Sequence, residues 1–149
     1  MKVSDKLIQL LEEFEEFEAS PYLCPAGIPT IGYGFTYYPD TKKKVTLQDP
    51  PITQERAVQI LRMLLEQYEL MVDSATVDTI TQQQFDALVS FTYNVGIEAY
   101  KKSTLRKLVN ANPDDLNIAN EFRRWNKVKG RAVKGLTLRR EKELKYYFS

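Results

Sequence analysis

The amino-acid sequence predicts a single α+β domain, mainly α, with a small N-terminal β lobe at about residues 20–50, a long linking helix at about 53–73 and a helical C-terminal lobe at about 74–149. Two observations carry this reading. Apolar residues recur at helical spacing before residue 18 and again from residue 53 onward, which gives each segment one apolar face. Between them lies a stretch of β-formers set among Gly27, Gly32 and Gly34, three of the six glycines in the chain. With 149 residues, the chain is long enough to bury a core unaided.

Residues 4–18 are predicted to form the first helix. Ser4 is placed to cap it, and Leu7, Leu10, Leu11, Phe14 and Phe17 make its apolar stripe. Glu12, Glu13 and Glu16 fall on the wet side. Pro21 is expected to end the helix, because proline lacks an N–H and restricts the residue before it. In residues 22–38, Tyr22, Ile28, Thr30, Ile31, Tyr33, Phe35 and Tyr37 alternate in part with small residues, broken by Pro25-Ala26-Gly27. This predicts a hairpin or a three-stranded sheet, closed by a polar loop through Asp40 and Lys42 to Lys44. From Thr53 the helical period returns, with Ala57, Ile60, Leu61, Leu64, Tyr68 and Met71 on one face.

Thr81-Gln82-Gln83-Gln84 has the form of a capping box ahead of Phe85, Leu88, Val89 and Thr92. Gly96 is placed to close that helix in a left-handed cap. A short helix is expected after Ser103, and another from Asp114 or Asp115 through Ala119 and Phe122 to Trp125. Gly130 and Gly135 bracket a basic loop, and a last helix ends at Tyr146, Tyr147 and Phe148.

Composition excludes several chemistries. There is no histidine, so Ser-His and Cys-His nucleophilic catalysis are ruled out. One cysteine without histidine also excludes the familiar zinc constellations and any internal disulfide. The formal charge of +1 hides an asymmetry: residues 1–100 hold 7 Lys/Arg against 15 Asp/Glu, and residues 101–149 hold 14 against 5. A basic half can attract a polyanion, or the two halves can neutralise each other across the fold. The basic residues are spread over several segments with no nucleic-acid motif, so no nucleic-acid partner is expected. The segment MKVSDKLIQLLEEFE puts acids where an export signal needs an apolar run. No apolar stretch approaches the ~20 residues that span a bilayer. Synthesis in the cytoplasm, without stable membrane insertion, is expected.

Chemistry concentrates between Glu15 and Thr36. A carboxyl beside Phe14 and Phe17 at the mouth of a cleft would be partly desolvated, which suits a general acid; on helix spacing alone Glu12, Glu13, Glu16 and Glu18 compete with Glu15. Cys24, between Leu23 and Pro25 at a turn, is read equally as a small hydrophobe and as a functional thiol. The acids around it would oppose a lowered thiol pKa. Thr30 is either a strand residue or a hydroxyl that orients a water.

The combination is far more specific. Glu15, eight residues, Cys24, five residues, Thr30 and then Ile31-Gly32-Tyr33-Gly34 resembles the phage-type lysozymes of glycoside hydrolase family 24. Their motif is Glu, eight residues, Asp or Cys, five residues, Thr, then a TIGYGHT-like strand. Gln84-Phe85-Asp86-Ala87-Leu88-Val89-Ser90-Phe91 into Tyr93-Asn94-Val95-Gly96 is similar to the family's cleft helix. Ser103-Thr104-Leu105, Phe122-Arg123-Arg124-Trp125-Asn126 and Gly135-Leu136-Thr137-Leu138-Arg139-Arg140-Glu141 resemble its C-terminal landmarks.

The resemblance implies a lysozyme-like fold and a muramidase that cleaves the β-1,4 bond between N-acetylmuramic acid and N-acetylglucosamine, with no metal or cofactor. It implies Glu15 as the proton donor, Cys24 in the place of the second carboxylate and Thr30 as a residue that positions the attacking water. Tyr93 and Asn94 match residues lining the sugar cleft, Thr104 matches a further saccharide contact, and Arg131 resembles the basic residue near the catalytic acid. Peptidoglycan is the expected partner, the protein a monomer, and a separate holin-like pore protein its expected route to the wall. A non-catalytic peptidoglycan-binding module is the alternative. Three departures stand out. Cys24 in place of aspartate leaves open whether a thiolate attacks the sugar or a neutral thiol orients water. Phe35 occupies the usual histidine position, so a polar contact is lost or replaced by packing. Glu16 replaces the glycine after the acid and adds a like charge beside Glu15.

Overall fold

A computed structural model describes residues 1–149. The chain forms two compact units, one of Ile8–Glu66 and one of Met1–Leu7 with Gln67–Ser149. The helices α1 (Asp5–Phe14) and α2 (Gln54–Ala75) carry the chain across the divisions. The α+β architecture holds, with a small sheet, a long helix and a mainly helical remainder. No helix is long and apolar enough to cross a membrane.

Ser4 caps α1: the Leu7 N–H donates to its hydroxyl oxygen at 3.3 Å and to its carbonyl at 3.1 Å. Leu7, Ile8 and Leu11 are buried. The helix stops at Phe14, short of the expected residue 18, and Pro21 does not stop it. Pro21 lies inside β1 (Glu18–Leu23), where pairing with β2 (Pro29–Gly32) is irregular between Glu18 and Tyr22. A missing N–H is tolerated where the ladder is broken. Pairing with β2 takes Glu18, the last residue of the expected helix, into the strand.

Tyr22 pairs opposite Thr30 and Leu23 opposite Pro29 in this antiparallel hairpin. Ile31 and Phe35 then exchange both backbone hydrogen bonds, at 2.9 and 2.8 Å. That tight turn holds Gly32 at φ 67° and Gly34 at φ 83°. Gly32 has a second reason to be glycine, since a Cβ there would stand 2.9 Å from the Phe35 ring. The sheet is two-stranded, supplemented by isolated bridges at Ile31–Phe35 and Tyr37–Lys44. Arg56 grips both carboxylate oxygens of Asp40 at 3.0 and 2.8 Å and so pins the following loop.

The buried stripe of α2 is Ala57, Ile60, Leu61, Leu65, Glu69 and Val72. Beyond Leu61 it lies one residue later than the expected Leu64, Tyr68 and Met71, which are half-buried. A polar member hides the true stripe: Glu69 is 5% exposed and accepts the Val3 N–H at 2.7 Å.

Helix α3 (Gln82–Val95) has the full capping box between Thr81 and Gln84. Gln84 to Thr92 are all buried, so α3 is the central rod of its unit. It packs against α4 (Ile97–Lys102) and α7 (Lys134–Tyr147). Gly96 has φ 104° and ψ 153°, positive but extended rather than left-handed, and it leads straight into α4, which the sequence did not announce. Helix α5 (Thr104–Ala111) is capped by the Ser103 hydroxyl, which accepts the Arg106 N–H at 3.0 Å. Helix α6 (Ile118–Arg123) starts later than expected. Asn112 and Asp115 side chains accept the N–H groups of Asp114 and Asn117, which builds turns where a helix was predicted.

The expected basic loop is a second hairpin, β3 (Lys127–Val128) with β4 (Arg131–Ala132). Its two-residue turn, Lys129-Gly130, has φ 51° and 78°. Gly135 belongs to α7. An aromatic cluster centres on Phe91, whose ring meets Tyr100, Phe122 and Trp125 edge-on at 6.4, 5.4 and 5.5 Å. Near the start of α3 the fully buried Asp86 carboxylate accepts from the Ser4 N–H (3.1 Å), the Gln82 amide (2.8 Å), the Tyr146 hydroxyl (2.7 Å) and the Ser4 hydroxyl.

Candidate active site

In the unit Ile8–Glu66, the hairpin sets the chemistry. Cys24 sits at its turn: its N–H donates to the Ile28 carbonyl at 3.1 Å, and its carbonyl accepts the Gly27 N–H at 2.8 Å. Gly27 makes the reversal at φ 77°. The half-buried sulfur faces backbone N–H groups of Ile28 and Ala26, which pull the thiol below its ordinary range. Burial pushes the other way, and the Thr30 hydroxyl adds a smaller lowering. The thiol is thus lowered, where the acids near it in sequence led to the opposite expectation.

Thr30 is buried, 3% exposed, and its hydroxyl donates to the Ile28 carbonyl at 2.8 Å. It thus has one proton and two acceptors, that carbonyl and the Cys24 sulfur. Glu15 is half-buried just past the end of α1, its N–H still bonded to the Leu11 carbonyl at 2.9 Å. Burial raises the Tyr22 phenol pKa first, and the negative charges of Glu18, Cys24, Glu15 and Glu16 raise it further. Glu15, Cys24 and Thr30 therefore share one compact unit around Tyr22, which pairs with Thr30 across the sheet. Sequence reasoning took Tyr22 only as a β-former; its place two residues before Cys24 was the available signal. Phe35 is 2% exposed and packs edge-on against Tyr33 at 6.1 Å, so packing stands where a histidine would make a polar contact.

In the other unit, Tyr93 and Asn94 end α3. Tyr93 is half-buried with its ring edge-on to Tyr68 at 5.2 Å. The Asn94 side-chain oxygen accepts from Arg140, which donates also to the Trp125 carbonyl at 2.9 Å and to Glu143. Glu143 is fully buried and accepts from the Ser90 hydroxyl at 2.6 Å and from Arg139 at 3.3 Å. Burial pulls the Arg140 guanidinium down from its usual range, and Glu143 pulls it back up. This network was missed, although Arg139-Arg140 three and four residues before Glu143 on one helix announces it.

Thr104, the first residue of α5, is exposed and lines a cavity of about 340 Å³ with Lys102, Ser103, Glu121, Arg124 and Trp125. Asn94 lines a second of about 520 Å³, with Arg124 and Trp125 common to both. Arg131, exposed on β4 opposite Val128, lines neither.

The model of the phage lysozyme family matches residues 12–143. The chain belongs to the phage lysozyme family. It is 37% identical over 146 residues to the endolysin of Bacillus phage B103, covering 96% of this chain and 52% of that protein. The chain thus spans about half the length of the Bacillus phage relatives it matches. Against the endolysin of Acyrthosiphon pisum secondary endosymbiont phage 1 it is 33% identical over 147 residues, with 96% and 95% covered. Among solved structures it is similar to the endolysin from Escherichia coli O157:H7 phage FAHEc1, with TM-score 0.89, 38% identity and coverage of 100% and 94%.

Within this phage lysozyme family chain the two sets of residues have different capacities. A carboxyl, a thiol of lowered pKa and a hydroxyl can donate a proton and supply or orient a nucleophile. The phenol, amide and hydroxyl of Tyr93, Asn94 and Thr104 can only hydrogen-bond a polar ligand, as a polyhydroxylated one requires.

Proposed function

We propose that the protein is a peptidoglycan hydrolase, a muramidase that cleaves the β-1,4 bond between N-acetylmuramic acid and N-acetylglucosamine to lyse a bacterial host. The observation that carries this reading is the family match across residues 12–143, with the Glu15, Cys24 and Thr30 spacing intact inside one compact unit. Glu15 protonates the glycosidic oxygen as the bond to the sugar carbon breaks. Cys24 stands on the side of the nucleophile. Its lowered pKa supports a thiolate that attacks the sugar carbon or takes a proton from the attacking water. Thr30 holds the turn and the water beside the sulfur, Tyr93, Asn94 and Thr104 bind sugar, and Arg131 contributes to substrate binding. The reaction uses no metal or cofactor. The protein works as a monomer, made in the host cytoplasm and passed to the wall through a separate holin-like pore protein.

Glu15→Gln is expected to abolish clearing of a bacterial wall suspension while the circular dichroism spectrum stays native. Full activity in that variant would overturn the assignment. Wild-type protein that sediments with walls without releasing reducing sugar would instead establish a binding module. Cys24→Ser compared with Cys24→Asp tests the second role. Wild-type rates in both would make Cys24 a bystander.

A further inference from the structure

Residues 127–135, the hairpin β3–β4 and its approach into α7, are exposed without a break. The run holds four cations, Lys127, Lys129, Arg131 and Lys134, and none of them is paired with an acid. The sequence places no acid anywhere from residue 124 to residue 140, so this charge is not compensated locally. The hairpin also sorts its side chains. Val128 stands opposite Arg131, and the Val133 N–H donates to the Asn126 carbonyl at 2.8 Å, which extends the pairing beyond Lys127 and Ala132. Opposed residues, and residues two apart on an extended chain, share a face. Val128, Arg131 and Val133 therefore lie on one side of the hairpin, and Lys127 and Ala132 on the other. Val128 is 53% exposed and Val133 38%, while Leu138, one turn beyond Lys134 on α7, is 54% exposed. Lys127 and Val128 also border the cavity beside Asn94, but Lys129, Arg131, Val133 and Lys134 do not.

We propose that this hairpin is a docking surface for an anionic phospholipid bilayer, its cations meeting the headgroup phosphates while the valines enter the interface. Charge attraction and apolar burial are the two terms that hold amphipathic segments on such a surface. A soluble polyanion would use the cations alone, and exposed valines set among them gain nothing from it. A bilayer interface takes up both. The contact is peripheral, because the hairpin strands are two residues long and no helix is long and apolar enough to cross a membrane. The inference does not depend on wall cleavage.

The test sediments the whole protein with vesicles of equal parts phosphatidylcholine and phosphatidylglycerol, and separately with vesicles of phosphatidylcholine alone. Saturable binding to the mixed vesicles at low salt is expected, and none to the neutral ones. Each cation removed should weaken binding about fivefold, so Lys129→Gln combined with Lys134→Gln should weaken it about twenty-fivefold. Both positions are exposed, and a native circular dichroism spectrum checks the fold. Val128→Ser combined with Val133→Ser separates lipid from polymer. That pair should weaken vesicle binding several-fold and leave binding of soluble polyphosphate unmoved. Glu15→Gln should bind vesicles as the unaltered protein does, so the docking surface and the hydrolase reading fail separately. No binding to the mixed vesicles, equal binding to neutral ones, or full binding by the lysine pair overturns the proposal. Full vesicle binding by the valine pair overturns it too, and makes the hairpin a site for polyanions in general.

Discussion

The Thr30 hydroxyl has one proton, and two neighbours claim it. With a neutral thiol, that proton rests on the Ile28 carbonyl at 2.8 Å. A thiolate competes for it, and the N–H groups of Ile28 and Ala26 favour that thiolate. Because the folded pKa is lowered, the resulting stabilisation is full above the pKa of the unfolded thiol and fades as pH falls through the folded value. Alkylation of Cys24 by iodoacetamide should therefore show a pH midpoint below that of the denatured chain. Thr30→Val should move the midpoint upward; an unmoved midpoint would show that the backbone alone sets the shift. Glu143 poses the opposite problem, one carboxylate between two buried guanidiniums. Glu143→Ala removes the carboxylate that both guanidiniums face and should cost about 3–5 kcal/mol of stability in urea denaturation. The loss would also release Asn94, whose oxygen is oriented through Arg140.

Between β1 and β2 and in the turn that follows, backbone geometry decides what substitutions are possible. Gly32→Ala combines a positive φ with a Cβ 2.9 Å from the Phe35 ring and should lower stability by about 1–3 kcal/mol, measured as a fall in the urea midpoint. If Phe35→Leu reduces that cost in the double variant, ring contact rather than the dihedral is the larger part. Such local rules explain which elements were legible in the sequence. The Thr81–Gln84 box and the Ser4 cap are short-range hydrogen-bond patterns, and each was found where its residues stand, as was the helix that starts after Ser103. Pro21 misled because its tolerance in β1 depends on irregular pairing with a strand that lies further along the chain. The α2 stripe misled because its buried Glu69 is satisfied by Val3, 66 residues away. Lys129-Gly130 was legible in principle, as a two-residue turn, but its flanking strands are only two residues long. At the site, spacing located Cys24 and Thr30 in one hairpin, but the donors around the sulfur are backbone groups that no residue type announces.

Across the whole molecule, charge divides with the fold. The unit formed by Met1–Leu7 and Gln67–Ser149 holds 16 Lys/Arg against 11 Asp/Glu, and Ile8–Glu66 holds 5 against 9. If the basic unit grips an acidic wall polymer, wall clearing should slow several-fold as salt rises from low to well above physiological strength. A rate independent of salt would assign these charges to solubility. The Asp86 cluster carries another consequence, one for biosynthesis. Its partners Ser4 and Tyr146 are separated from Asp86 by 82 and 60 residues, and from each other by 142. The whole stretch Ile8–Glu66 lies in sequence between Ser4 and both Asp86 and Tyr146. Ser4 must wait for α3 to emerge and then for Tyr146. Ser4 is thus made long before the groups that lock it, and the order in which these residues are made is not the order in which the cluster closes.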